Sequence, residues 1–151
     1  MNKQLFVVLL VEDNEHDIVA TKRAWQKNNM ANPLYIVNDG EACLDYLYRR
    51  GKYSEPGVAP WPGLLLLDLN IPKLDGLTVL KHVRGDEALR RLPVVILTTS
   101  HLDEDRMRSY DLGANAYIRK PIGFENLSRA LKIIDLFWTL AELPEAYNGY
   151  R

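Results

Sequence analysis

A chain of 151 residues, 47% hydrophobic and 26% charged, has the size and composition of one ordinary globular domain with room for a real core. Its formal net charge of -1 gives no sign of bulk binding to nucleic acid or membranes. A single cysteine, Cys43, excludes an intramolecular disulfide and suits a reducing cytoplasm. Leu5 to Val11 is too short for a signal peptide and runs into Glu12-Asp13. No apolar run approaches the roughly 20 residues of a membrane-spanning helix. The expectation is a soluble cytoplasmic single domain.

Taken in chain order, Leu5 to Val11 predicts a first buried strand. A helix follows through about Asn28, capped by Asn14 or Asp13, with Ile18, Ala24 and Trp25 among its apolar positions. Leu34 to Val37 predicts a second strand, ended by Asn38-Asp39-Gly40. Ala42 to Arg49 is a second helix, with Cys43, Leu44 and Leu47 at helical spacing. Gly51 to Gly63 carries three prolines and three glycines and reads as a loop. Leu64 to Leu67 predicts a third strand, and Gly76 to Arg84 a third helix with Leu77, Leu80 and Val83 inward. Pro93 to Leu97 is a fourth strand, Leu102 to Leu112 a polar helix, and Asn115 to Ile118 a fifth strand. A long helix runs from Phe124 to about Leu143. Strands alternating with helical stretches predict an α/β fold with a doubly wound parallel sheet.

The stretch LLLLDLNIPKLDG, Leu64 to Gly76, is the most informative. Four apolar residues run into Asp68 and a turn, which is the pattern of a strand buried on both faces. Asp68 then falls at the carboxyl end of a central strand, where open α/β sheets place their ligands. Glu12-Asp13, Thr98-Thr99 and Lys120-Pro121 follow three other apolar strands. Four strand ends therefore carry polar groups toward one edge.

Glu12, Asp13 and Asp68 are three anions at adjacent strand ends. Two unit charges about 4 Å apart repel by roughly 4 kcal/mol at an effective dielectric of 20. Such a cluster calls for a cation or a raised pKa. Hard oxygen donors suit Mg²⁺, which takes one or two carboxylates plus waters and phosphate oxygens. The alternative is that Glu12-Asp13-Asn14 only caps the first helix. Lys120 supplies a cation that can pair with Asp68 and later with a phosphoryl oxygen. Its bond to Pro121 is of the kind that can be cis and fix a tight turn. Thr98 offers a hydroxyl, although threonine also favours strands.

With these residues in this order, the chain resembles the receiver domain of two-component response regulators over roughly residues 5 to 140. The resemblance implies a flavodoxin-like five-stranded sheet of order 2-1-3-4-5 with five helices. It implies Asp68 as phosphoacceptor, Lys120 as the partnering lysine and Thr98 as the switch hydroxyl. Tyr117 falls at the aromatic switch position; without the resemblance it is a half-buried core aromatic with its hydroxyl in solvent. Glu12, Asp13, Asp68 and the backbone carbonyl of Asn70 are the implied Mg²⁺ site. Asp68 would accept a phosphoryl group from a phosphohistidine of a sensor histidine kinase. The added charge would then be read through the face of the fourth and fifth helices and fifth strand. Tyr53 to Pro62, the LTTS stretch, and Phe137, Trp138, Leu143 and Pro144 look like the regulators that partner phytochrome kinases. Glu12 replaces the commoner Asp, and Thr99 is bulkier than the small residue often found there, which implies altered access to Asp68.

The expected organisation is a receiver domain over residues 1–144 and a tail over 145–151, with no output domain. On the last helix Phe124, Leu127, Leu131, Ile134 and Trp138 suffice to cover a core. Ile133, Leu136, Phe137 and Leu140 are apolar in excess of one stripe. They predict a homodimer surface, the alternative being that the tail folds over them. His16, His82 and His101 are expected outside the carboxylate site. Rival readings are an aspartyl-phosphate phosphatase, whose second Asp is replaced here by Asn70, and a receiver that only binds partners. A phosphoacceptor that is not a multiple-turnover enzyme is the expected function.

Overall fold

Successive residues of a strand face opposite sides of a sheet, and here both sides are apolar. In β1 (Val7–Val11), β3 (Pro62–Leu67) and β4 (Val94–Thr98) almost every residue is buried. Leu9, Val11, Leu65, Leu67, Val94 and Ile96 join one core cluster, while Val8, Leu10, Leu64, Leu66, Val95 and Leu97 join another. These strands need helices on both faces. The computed structural model describes residues 5–141 and supplies them. α1 (Glu15–Lys27) and α5 (Phe124–Leu140) cover one face, with Ala24, Trp25, Leu131 and Ile134 inward. α2 (Gly40–Tyr48) and α3 (Gly76–Gly85) cover the other, with Cys43, Leu47, Val79, Leu80 and Val83 inward. α4 (Asp103–Asp111) is short and polar. With β2 (Leu34–Val37) and β5 (Ala116–Arg119) at the edges, five parallel strands run in the order β2-β1-β3-β4-β5. This is the doubly wound sheet that the pattern predicts, in the flavodoxin-like order that the resemblance implies.

Element boundaries shift for local reasons. β3 begins at Pro62, inside the predicted loop. Proline is tolerated as the first strand residue, and Pro62 pairs with Val7 just where the β1–β3 register shifts. The rest of that loop holds a 3₁₀ turn at Gly51–Tyr53. It is tied down by the Tyr46 hydroxyl donating to the Pro60 carbonyl at 2.6 Å and by Arg49 Nε donating to the Ala59 carbonyl at 3.1 Å. α2 starts two residues early because the Asp39 side chain caps it, accepting from Ala42 N–H at 2.7 Å. β5 starts one residue late because the Asn115 side chain accepts from Val94 N–H and from Arg84. α5 stops at Leu140, with Ala141 extended; Leu143, Pro144 and the tail lie outside the described residues. Every described peptide bond is trans, the Lys120–Pro121 bond included.

The loop after β3 is held by close backbone approaches. Gly76 N–H donates to the Leu69 carbonyl at 2.9 Å, and Gly40 N–H donates to the Pro72 carbonyl at 3.2 Å. A Cβ at Gly76 would lie 2.4 Å from the Asp68 carbonyl oxygen and 2.7 Å from Leu69 Cα. Only glycine lets the start of α3 sit against the backbone that carries Asp68. Gly76→Ala is therefore expected to destabilise the protein by about 1–3 kcal/mol in urea denaturation. Gly85→Ala, whose Cβ meets nothing within 4 Å, should leave the stability equal or slightly raised.

Candidate functional site

Parallel pairing brings the polar residues together one strand at a time. Val11 pairs with Leu67, so Glu12 and Asp68 leave the sheet side by side. Asp68 N–H donates to the Val11 carbonyl at 3.2 Å, and Glu12 N–H donates to the Val37 carbonyl at 3.0 Å. Across β4, Lys120 N–H donates to the Thr98 carbonyl at 2.7 Å. The lysine is thereby fixed at the same edge as the carboxylates.

Lys120 is the centre of the site. Its Nζ donates to Glu12 Oε1, to Asp17 Oδ2 at 2.8 Å and to Asp68 Oδ2 at 3.0 Å. The side chains of Lys120, Glu12 and Asp68 are almost entirely buried, and that of Asp17 is 36% exposed. Burial alone would push the ammonium pKa down. Hydrogen bonds to Asp17 and Glu12, with the charges of Asp68 and Glu12, outweigh it and hold the lysine above its ordinary value. Burial pushes the Glu12 carboxyl up, and Lys120 partly offsets this.

These carboxylates face a polar cleft of about 530 Å³ that Asp13, Asn70 and Thr99 also line. Glu12 Oε2 accepts from Asn14 N–H at 3.2 Å, and Asp68 Oδ1 accepts from Asn70 N–H at 3.2 Å. Asp13 is exposed. Among the described residues no three acidic, histidine or cysteine side chains form a ready-made metal cage. That donor set still fits a hard divalent cation, which needs only one or two carboxylates and keeps several waters. Glu12, Asp13 and Asp68, which line the cleft together with Asn70, are the residues that would hold it. Glu12, the third expected ligand, also accepts from Lys120 Nζ and Asn14 N–H.

Thr98 is fully buried, and its Oγ1 accepts from Ser100 N–H at 3.3 Å. Tyr117 is half-buried against the core. Its hydroxyl reaches the Ser100 carbonyl at a long 3.4 Å, and its N–H donates to the Tyr110 hydroxyl. Ser100 Oγ donates to Asp105 Oδ2 on α4 at 2.6 Å. Ser100 thus touches Thr98, Tyr117 and α4 together, and sequence pattern gave no sign of it. Asp17 was missed as well: three residues after Asn14 it has the spacing of a helix-capping residue, which conceals its contact with Lys120. His16, His82 and His101 are exposed and are not among the residues lining this cleft. Cys43 is buried, and burial pushes its thiol well above the ordinary range.

The fold and this edge belong to a protein class. The chain is a member of the response regulator receiver domain family, which matches residues 8–132. It is 40% identical over 133 residues to the probable methanogenesis regulatory protein FilR2 of Methanothrix harundinacea, covering 88% of this chain and 83% of that one. It is 38% identical over 132 residues to response regulator Rcp1 of Synechocystis sp., covering 87% and 88%. The solved Mn²⁺-bound form of Rcp1 matches with a TM-score of 0.83 and 37% identity, over 92% of this chain and 99% of that one. Response regulator RPA3017, in red light signaling of R. palustris, matches with a TM-score of 0.87 and 37% identity, over 93% and 99%.

A divalent cation held by Glu12, Asp13 and Asp68 should stabilise the fold by about 2–3 kcal/mol at roughly a hundred times its Kd. Thermal unfolding with Mg²⁺ or Mn²⁺, and again with excess chelator, measures this. Asp13→Asn is expected to remove most of the metal-dependent rise.

Proposed function

We propose that this protein is the phosphoacceptor of a two-component relay, taking a phosphoryl group onto Asp68 from a phosphohistidine of a sensor histidine kinase. The observation that carries this reading is Asp68 itself, at the end of the central strand with one oxygen on Lys120 and the other on Asn70 N–H. A carboxylate oxygen of Asp68 attacks phosphorus, the bond from phosphorus to the histidine nitrogen breaks, and the imidazole leaves and is reprotonated. A bound Mg²⁺ would offset charge on the phosphoryl oxygens. Lys120 donates to one of those oxygens and holds it in place. Similarity to regulators of red-light and phytochrome signalling favours a phytochrome-type kinase. Buried Cys43 suits a cytoplasmic setting.

Asn70 stands where an aspartyl-phosphate phosphatase needs a general acid, so rapid turnover on phosphomonoesters is not expected. The presence of Lys120, Thr98 and the carboxylates together favours phosphorylation over a role in binding alone. Phosphorylation adds about -1.5 to -2 charge. Thr98 turning toward it would withdraw its oxygen from Ser100 N–H, loosening the point where Tyr117 and Asp105 meet. That route carries the signal to the α4–β5–α5 face. Ile133, Leu136, Phe137 and Leu140 on α5 are 61%, 56%, 60% and 73% exposed, while the core side of the helix is filled by Leu131 and Ile134. A second copy of the chain is the proposed cover, since two-fold homodimers are the commonest oligomers.

Acetyl phosphate with Mg²⁺ should add one phosphoryl mass in intact-mass measurement, and Asp68→Asn should abolish it. Stoichiometric labelling that persists in this variant would overturn the assignment. Sedimentation should show a dimer at micromolar concentration that Phe137→Glu converts to monomer, because a charge in a desolvated interface is costly. Circular dichroism checks that the variant is folded.

A further inference from the structure

We infer that Asp17 is a positioning residue for phosphoryl transfer at Asp68, the partner that Lys120 exchanges for a phosphoryl oxygen. This rests on the phosphoacceptor reading and adds a residue to it. An ammonium group has three donors, and Lys120 spends all three, on Glu12, Asp17 and Asp68. No donor is left for an incoming phosphoryl oxygen, so one present bond must open.

The three acceptors differ in what they lose. Glu12 is 2% exposed, and stripping its cation would strand a buried charge. Asp68 is the reacting group and must stay beside the lysine. Asp17 has a side chain 36% exposed and lines the mouth of the cleft, so water can replace the lysine there. Its backbone stays put when the bond opens. Asp17 N–H donates to Asn14 Oδ1 at 3.0 Å and its carbonyl accepts from the Thr21 hydroxyl at 2.8 Å.

The local sequence also explains why this carboxylate is available. In a capping box the acidic side chain three residues into a helix accepts from the N-cap N–H. Here the Asn14 N–H goes to Glu12 Oε2 instead. The Asp17 carboxylate is thus released from capping and turned toward Lys120. With Asp17 engaged, the lysine is drawn partly toward α1 and the cleft holds one more anion. The first effect, the lysine held away from the phosphoryl position, is the one that the exchange relieves.

Beryllofluoride, a tetrahedral phosphoryl mimic, serves as the probe at saturating Mg²⁺, with binding followed by intrinsic fluorescence. Asp17→Asn is expected to bind it about fivefold more tightly than the wild type, the scale of a half-exposed ion pair. Glu15→Gln is the control, since Glu15 lines the same cleft but makes no hydrogen bond to Lys120, and its affinity should equal the wild type's. Unchanged or weaker binding by Asp17→Asn overturns the inference, and so does an equal gain in both variants, which would reflect bulk charge alone. Asp17→Ser is the substitute if the first variant misfolds. In the metal-free protein, loss of the Asp17 contact should speed exchange of the Lys120 ammonium protons with water, read by NMR; an unchanged rate also overturns the inference. A wild type that neither binds beryllofluoride nor gains a phosphoryl mass defeats the phosphoacceptor reading, and the role of Asp17 with it.

Discussion

The ammonium of Lys120 is the group on which the site edge of this protein depends. Parallel strands end at the same edge, so a parallel sheet whose strands end in carboxylates concentrates like charge where water is scarce. Glu12 and Asp68 leave neighbouring strands side by side and are nearly buried. Without a cation between them the repulsion would splay the strand ends. Lys120 arrives from the far side of β4, held by its own N–H on the Thr98 carbonyl. The desolvation it suffers is offset because every one of its donors meets a carboxylate oxygen.

That arrangement has a chemical consequence. Asp68 lines a polar cleft and is gripped on both oxygens, which under the proposed phosphoacceptor role would hold it in one orientation for reaction. The same lysine couples Asp68 to α1 through Asp17 and to the first strand through Glu12. Charge added at Asp68 in the proposed relay would be felt by groups on three separate elements. On the other flank, Ser100 joins Thr98, Tyr117 and the first turn of α4. α4 buries little apolar surface, with Ser109 its one buried residue. An element held by polar contacts more than by packing is suited to shift when one of those contacts changes.

Much of the fold was legible because buried parallel strands write an unambiguous pattern. The apolar runs of β1, β3 and β4 end in charged or hydroxyl residues, and the stretches between them alternate at helical spacing. The edges of elements were less legible. The Asp39 and Asn115 side chains decide where α2 and β5 begin, and each resembles an ordinary turn residue in the sequence. Asp68, Lys120 and Thr98 were visible at strand ends. Asp17 was not, because its spacing from Asn14 suits a cap, and whether the cap uses it depends on where Glu12 points.

The sequence by itself determined the layer order, the two apolar faces of the sheet and the edge at which polar residues gather, since these follow from periodicity and the direction of the strands. Only the tertiary structure decided which carboxylate meets which donor. Lys120 lies more than a hundred residues from Glu12 and Asp17, and no local pattern spans that distance. The pairing is set by strand register and by the competition of several anions for one ammonium with three protons, a choice made only when the chain has closed on itself.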